Sequence, residues 1–193
     1  SIKPTKKIKE WQLGKVSNGD SYGGNIKGIT SKLGYLKDLG VGGIYLTPIF
    51  EAESNHKYDT IDYYKIDPQF GTNEDFVEMV SLAKKLNIKV MLDFVFNHSG
   101  TGFKQWKDVV ENGMDSKYFD WFMVEQYPFD QKDGPRKNHF KSFAFAPHMP
   151  KLNTNNVEVQ DYLIDMTLNW INNYGIDAIR IDVANEANHE FNR

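Results

Sequence analysis

No cysteine occurs in the 193 residues, which excludes disulfides and thiol catalysis and leaves the compartment unassigned. Positive charge is not in excess: a net charge of -3 gives no electrostatic footprint for a nucleic-acid or anionic-membrane partner. No apolar run approaches a membrane span. Residues 1–10 carry Lys3, Lys6, Lys7 and Lys9 with no apolar stretch behind them, so they do not read as a signal peptide. A glycine-rich phosphate fingerprint is also missing after every strand-like segment, which argues against a nucleotide site.

What is present is an ordinary globular composition, 40% hydrophobic and 25% charged, enough for one substantial core and a smaller appendage. Aromatic residues reach 14%, and many lie in the middle third outside any periodic pattern. Such rings either bind flat sugars or pack under long loops, and packing is the commoner cause.

Residues 1–25 are polar and basic, with an Asn18-Gly19-Asp20 turn signal and a Gly23-Gly24 pair, and read as an arm or loop. Ile29, Leu33, Leu36 and Leu39 share one helical face over Ile29–Leu39, stopped by Gly40. A strand is predicted at Gly43–Thr47, ended by Pro48. Thr72-Asn73-Glu74-Asp75 has the form of a capping box and opens a helix through Leu86, with Phe76, Val80 and Ala83 inward. Ile88–Phe96 is nearly continuous in apolar residues, as a strand covered on both faces should be, and Asp93 interrupts it. Residues 99–153 form a long irregular segment. Asn155 and Glu158 then resemble a cap for a helix to Tyr174, with Val159, Tyr162, Met166 and Trp170 on one stripe. Gly175 ends it and a last strand begins. Alternating helices and strands of this kind imply an α/β fold with a parallel sheet, either doubly wound or a barrel.

On that last strand Ile179, Ile181 and Val183 share one face, while Ala178, Arg180, Asp182 and Ala184 share the other. Arg180 and Asp182 therefore point the same way. A charged pair on an apolar strand is costly to bury unless the partners compensate, and a nearby guanidinium keeps a carboxylate ionised. The pair reads either as a structural ion pair, the commoner case, or as a fixed nucleophile. Asn97 and His98 follow the preceding strand, and His56, Tyr58 and Asp59 lie in the loop after the first, so three strand ends converge on one rim.

The segments Leu92-Asp93-Phe94-Val95-Phe96-Asn97-His98, Met149-Pro150-Lys151-Leu152-Asn153 and the stretch from Gly175 to Glu186 resemble three successive signature regions of the α-amylase superfamily of glycoside hydrolases. The Met-Pro-Lys-Leu-Asn form, Val183-Ala184-Asn185-Glu186 and Ser54-Asn55-His56-Lys57-Tyr58-Asp59 resemble most the cyclomaltodextrinase, maltogenic amylase and neopullulanase branch. The similarity runs from about Gly23 to the end. It implies a partial (β/α)8 barrel holding strands two to four. Residues 1–98 would be a barrel portion with strands two and three, 99–153 a small domain inserted after strand three, and 154–193 a barrel portion with a helix and strand four.

The resemblance implies a retaining hydrolase of α-1,4 bonds, with α-1,6 bonds as a further substrate, acting on cyclomaltodextrins, pullulan or starch oligosaccharides. Asp182 would be the nucleophile and Arg180 the group that orients it and keeps it ionised. His98 and His56 would donate to sugar hydroxyls, and Tyr58 would offer a ring face. Asp93 would support Arg180, with Asn97 beside it. Phe143 and Phe145 either line the cleft or pack a satellite core, and Asn185 and Glu186 would face the leaving-group side or cap the strand end. The resemblance implies that the chain stops before the family's acid/base Glu, so alone it is expected to be inactive, and that the first barrel strand is either missing or cut off. A calcium site is implied in relatives near Gly23 and Asn25, where Asn25 replaces a carboxylate. No cofactor is required, and calcium is left to the complete protein. The same branch implies a homodimer and a cytoplasmic location for the complete protein. A non-catalytic carbohydrate-binding relative, an oligo-1,6-glucosidase-like enzyme and an unrelated α/β hydrolase or transferase are the alternatives.

Overall fold

The computed structural model describes residues 6–7, 20–188 and 191. In chain order the strands are β1 Lys6–Lys7, β2 Asp20–Ser21, β3 Gly43–Leu46, β4 Phe50–Ala52, β5 Thr60–Ile66, β6 Lys89–Phe94 and β7 Ala178–Ile181. The helices are α1 Ile26–Thr30, α2 Leu33–Asp38, α3 Asn73–Lys85, α4 Lys104–Asn112 and α5 Val157–Asn172. β3, β6 and β7 form a parallel sheet with β6 in the centre, while β4 and β5 pair antiparallel. β1 and β2 make a two-residue parallel contact, so part of the N-terminal stretch is paired where a plain arm or loop is predicted. Asn18 and Gly19 of its turn signal lie outside the described residues.

The capping box holds: Thr72 Oγ1 accepts from Asp75 N at 3.2 Å and Asp75 Oδ2 accepts from Thr72 N at 3.1 Å. α3 then buries Phe76, Met79, Val80 and Ala83. α5 is capped one residue later than the sequence predicts, by Asn156, whose Oδ1 accepts from Glu158 N at 2.8 Å. Its buried stripe is Val159, Leu163, Met166 and Trp170, with Tyr162 only partly covered. Gly40 and Gly175 stop their helices with φ of +81° and +72°, values open to glycine without a Cβ clash.

The helix expected over Ile29–Leu39 is two short helices broken at Ser31 and Lys32. Asn25 caps the first through Gly28 N at 2.8 Å, and the covered residues are Ile26 and Leu33, leaving Leu39 61% exposed. The β4–β5 hairpin was not legible in the sequence. Its pairing is irregular, with register shifts on both sides of Glu51, and the burial along Thr60–Ile66 does not alternate with period two. The segment 99–153 also holds more order than predicted, namely α4 and a set of isolated antiparallel bridges.

One aromatic cluster joins these pieces. Trp170 stacks near Phe50, Phe76 and Tyr174 with centroids 5.0, 5.5 and 4.3 Å away, and its indole N–H donates to Tyr63 O at 2.8 Å, satisfying a fully buried donor. Trp106 on α4 gathers Phe122, Phe129 and Phe140 at 4.8, 5.3 and 5.0 Å. Both groups belong to a single core. At the amino ends of the strands Asp177 accepts from Lys89 Nζ at 2.8 Å and from Val90 N at 3.0 Å, which staples β7 to β6.

Candidate active site

Parallel register decides which side chains meet. Asp93 on β6 stands opposite Arg180 on β7, and Tyr45 on β3 is level with Met91 and Ala178 one pleat earlier on the same face. Asp93 is buried and saturated. It accepts from Arg180 Nη1 at 3.1 and 2.9 Å through its two oxygens, from Tyr58 OH at 3.2 Å, and from Tyr45 OH. The same Nη1 donates to Asp182 Oδ1 at 2.6 Å. Desolvation works against the Arg180 charge, but the hydrogen bonds to Asp182 and Asp93 outweigh it and hold the guanidinium above its ordinary pKa. Burial, then the Asp93 hydrogen bond, raises the Tyr45 phenol. Burial and the Asp93 charge do the same for Tyr58, so both remain protonated donors.

Tyr45 is the member that sequence reasoning missed. Only the register of β3 against β6, from Gly43 and Lys89 onward, brings it beside Asp93.

Arg180 and Asp182 do meet, as alternation along the strand predicts, and the pleat is cut short just beyond them. β7 ends at Ile181, and Val183 adopts φ 42° and ψ 43°, a left-handed conformation that β-branched residues rarely take. The alternation predicted through Val183 and Ala184 therefore stops, although Asp182 N still donates to Phe94 O at 2.9 Å. Beyond it Ala184–Glu186 is a 3-10 turn. Asn185 and Glu186 are exposed on it, and Glu186 accepts from Lys151 Nζ at 3.1 Å.

His98 is fully buried. Asn97 Nδ2 donates to its Nδ1 at 3.2 Å, which puts the ring proton on Nε2, a buried donor with no partner in the protein among the described residues. Phe143 lies against the imidazole, centroids 5.0 Å apart and planes at 22°, so it is a wall of this site, while Phe145 is 68% exposed and packs no satellite core. Asn97 Oδ1 is likewise buried without a partner. Burial pushes the His98 pKa down to about 4, with the Glu186 charge opposing. The unfolded chain binds this proton below about 6.5 and the folded chain does not, so the contribution to stability is complete above that pH and is lost as pH falls towards 4. Denaturation of the wild type and His98→Gln at a series of pH values is expected to show the wild type losing on the order of 3 kcal/mol more across that window.

His56 is held by its Nδ1, which accepts from Tyr58 N at 3.2 Å and lies 3.0 Å from Ser54 Oγ, leaving the proton on Nε2. Burial lowers its pKa, against the opposing charge of Asp59, so it too is neutral at physiological pH. The His56 and Tyr58 rings lie 5.8 Å apart. The loop that carries them touches the His98 segment closely: Gly100 N donates to Thr60 O at 2.7 Å, and a Cβ on Gly100 would fall 2.3 Å from Asp59 O.

Gly23 and Asn25 lie just ahead of α1. Asn25 Oδ1 is taken by the helix cap, and no group of three or more His, Cys, Asp or Glu able to hold a metal occurs among the described residues. No helix among the described residues is long and apolar enough to cross a membrane.

A parallel sheet that gathers an arginine, two carboxylates and neutral imidazoles at the carboxyl ends of its strands places the chain among the α/β enzymes. Among solved structures the type III pullulan hydrolase from Thermococcus kodakarensis superposes with a TM-score of 0.84 at 43% identity, over 92% of this chain and 31% of that one. Such neighbours imply a TIM-barrel fold. The family model for the alpha amylase catalytic domain matches residues 12–192, and the chain belongs to the α-amylase family of glycoside hydrolases. It is 52% identical over 172 residues to an intracellular maltogenic amylase of Bacillus subtilis, covering 89% of this chain. Against a cyclomaltodextrinase of Geobacillus thermopakistaniensis it is 51% identical over 170 residues, covering 88%. In each case it spans 28% of the relative's length.

Proposed function

We propose that this chain carries the nucleophile half of a retaining α-glucan hydrolase that cleaves α-1,4 bonds, with α-1,6 bonds as a further substrate, in cyclomaltodextrins, pullulan or starch oligosaccharides. The observation that carries the reading is the array Asp93–Arg180–Asp182. Asp182 is aimed by one guanidinium nitrogen, and that nitrogen is anchored on a buried carboxylate tied to three strands' worth of side chains. In the retaining scheme such a carboxylate attacks the anomeric carbon while a second carboxyl group, about 5 Å away, protonates the leaving oxygen. His98 Nε2 and His56 Nε2 are neutral donors suited to sugar hydroxyls, and Tyr58 offers a ring face beside them. Phe143 walls the His98 side, and Asn185 and Glu186 lie where a leaving group would exit.

Neither remaining carboxylate of the site is free to be the acid. Asp93 is saturated by donors and Glu186 is paired with Lys151. The proton donor is then a carboxyl group from catalytic-domain sequence outside residues 12–192, in keeping with the greater length of the relatives. Residues 99–153 are then the domain inserted between strands three and four, and β3, β6 and β7 are strands two, three and four. Both chemical roles belong to carboxyl groups, so no cofactor enters. The name of the Bacillus subtilis relative supports an intracellular setting. The test is covalent trapping: a catalytic domain carrying this chain, incubated with a fluorinated glycosyl fluoride, is expected to gain one sugar on the peptide containing Asp182. Labelling elsewhere, or none while the domain turns over starch, refutes the assignment.

A further inference from the structure

A second buried ion pair lies outside the catalytic array. Lys57 Nζ is 2.7 Å from Asp67 Oδ2, and both side chains are at most 1% exposed. The ammonium also donates to Ala52 O at 3.1 Å and sits 5.7 Å from the centre of the Phe70 ring. Asp67 in turn accepts from Ala52 N at 3.1 Å and Gln69 N at 2.9 Å, and its own N–H bonds to Ile49 O at 2.9 Å. The pair thus fastens the start and the end of the β4–β5 hairpin.

Lys57 is also the middle residue of His56-Lys57-Tyr58, and its φ is +64°. A left-handed residue at the loop tip reverses the side-chain direction locally. Lys57 turns into the core while His56 and Tyr58, on either side of it, reach the sugar-facing rim. Ser54 closes the loop from the other side, with Lys57 N donating to Ser54 Oγ at 3.1 Å and Ser54 hydrogen-bonded to Asp59. A desolvated pair adds little net stability over an apolar pair of the same volume. What it supplies is a fixed length and direction.

We propose that Lys57 and Asp67 form a buried strut that sets where His56 and Tyr58 stand against the substrate, making both of them positioning residues for α-glucan binding. This rests on the α-glucan reading of the site. The strut touches no substrate. Its effect must therefore pass through the two residues beside it, which makes it separable from a general effect on folding.

The experiment measures maltoheptaose affinity by calorimetry in a catalytic domain carrying this chain, with Asp182→Asn present so that no turnover occurs. The neutral pair Lys57→Met with Asp67→Asn is introduced on that background and again with His56→Ala and Tyr58→Ala added. On the first background affinity is expected to fall on the order of tenfold, about what the loss of one hydrogen bond to the sugar gives. On the second the same pair is expected to change affinity by less than about twofold, the signature of residues acting as one unit. An equal loss on both backgrounds, or no loss in a folded variant on the first, overturns the proposal. Should the neutral pair fail to fold, Asp67→Glu keeps the charges, lengthens the strut by one methylene and serves the same comparison. A domain with intact Lys57 and Asp67 that does not bind maltoheptaose at all refutes the α-glucan reading, and this inference with it.

Discussion

Asp182→Asn is expected to lower kcat on maltoheptaose or β-cyclodextrin by about 10^4-fold or more, with substrate affinity within a few-fold of wild type. The amide has nearly the same shape as the carboxylate, and its oxygen still accepts from Arg180, the bond that measures 2.6 Å in the native protein. What is lost is the electron pair that forms the covalent glycosyl intermediate. Steady-state kinetics paired with calorimetric affinity check this in a catalytic domain carrying the chain. Retained turnover removes Asp182 from the nucleophile role, and a parallel loss of affinity would make its role binding.

Asp93→Asn is the second large effect, and it acts at one remove. In the native protein this buried carboxylate receives two contacts from Arg180 and one each from Tyr45 and Tyr58. An amide presents one oxygen and an NH2 group, and the NH2 faces donors that it cannot satisfy. Only Asp93 is buried while Arg180 is 42% exposed, so losing a hydrogen bond to that charged group costs about 1.5 to 3 kcal/mol, and an Arg180 freed from its anchor no longer aims Asp182. A fall in kcat of about 10^2- to 10^3-fold is expected together with a lower Tm. Trapping separates the two roles. The Asp93→Asn protein should still be labelled at Asp182, only slowly, whereas Asp182→Asn should not be labelled at all. An Asp93→Asn enzyme with unaltered kcat would show that Arg180 needs no support.

The parts of this site that were legible in the sequence are those governed by short-range rules. The Thr72 box, the Gly40 and Gly175 stops and the apolar run around Asp93 all follow from hydrogen-bond inventory and periodicity within a dozen residues. The pairing of Arg180 with Asp182 also followed from pleat geometry, though a left-handed Val183 cuts that pleat short. Contacts between distant segments were not legible. Tyr45 and Asp93 lie 48 residues apart, and only the β3–β6 register joins them. The β4–β5 hairpin escaped because its bulged pairing erases the alternation by which a strand is recognised. The burial of Lys57 was invisible for the same reason: a lysine in a polar loop reads as solvated until its partner ten residues on is folded against it.

β6 and β7 are joined by an ion pair at each end, Lys89 with Asp177 at one and Asp93 with Arg180 at the other. Only the second end belongs to the candidate active site. In barrel enzymes the two rims divide labour in this way, one open to functional change and the other reserved for holding the strands together. A protein engineer therefore has two independent handles on the same pair of strands. Changes at Lys89 and Asp177, a pair whose lysine is 69% exposed, are expected to alter stability by at most about 1 kcal/mol and to leave the opposite rim untouched, while new specificities are to be sought by diversifying that rim on an unaltered base.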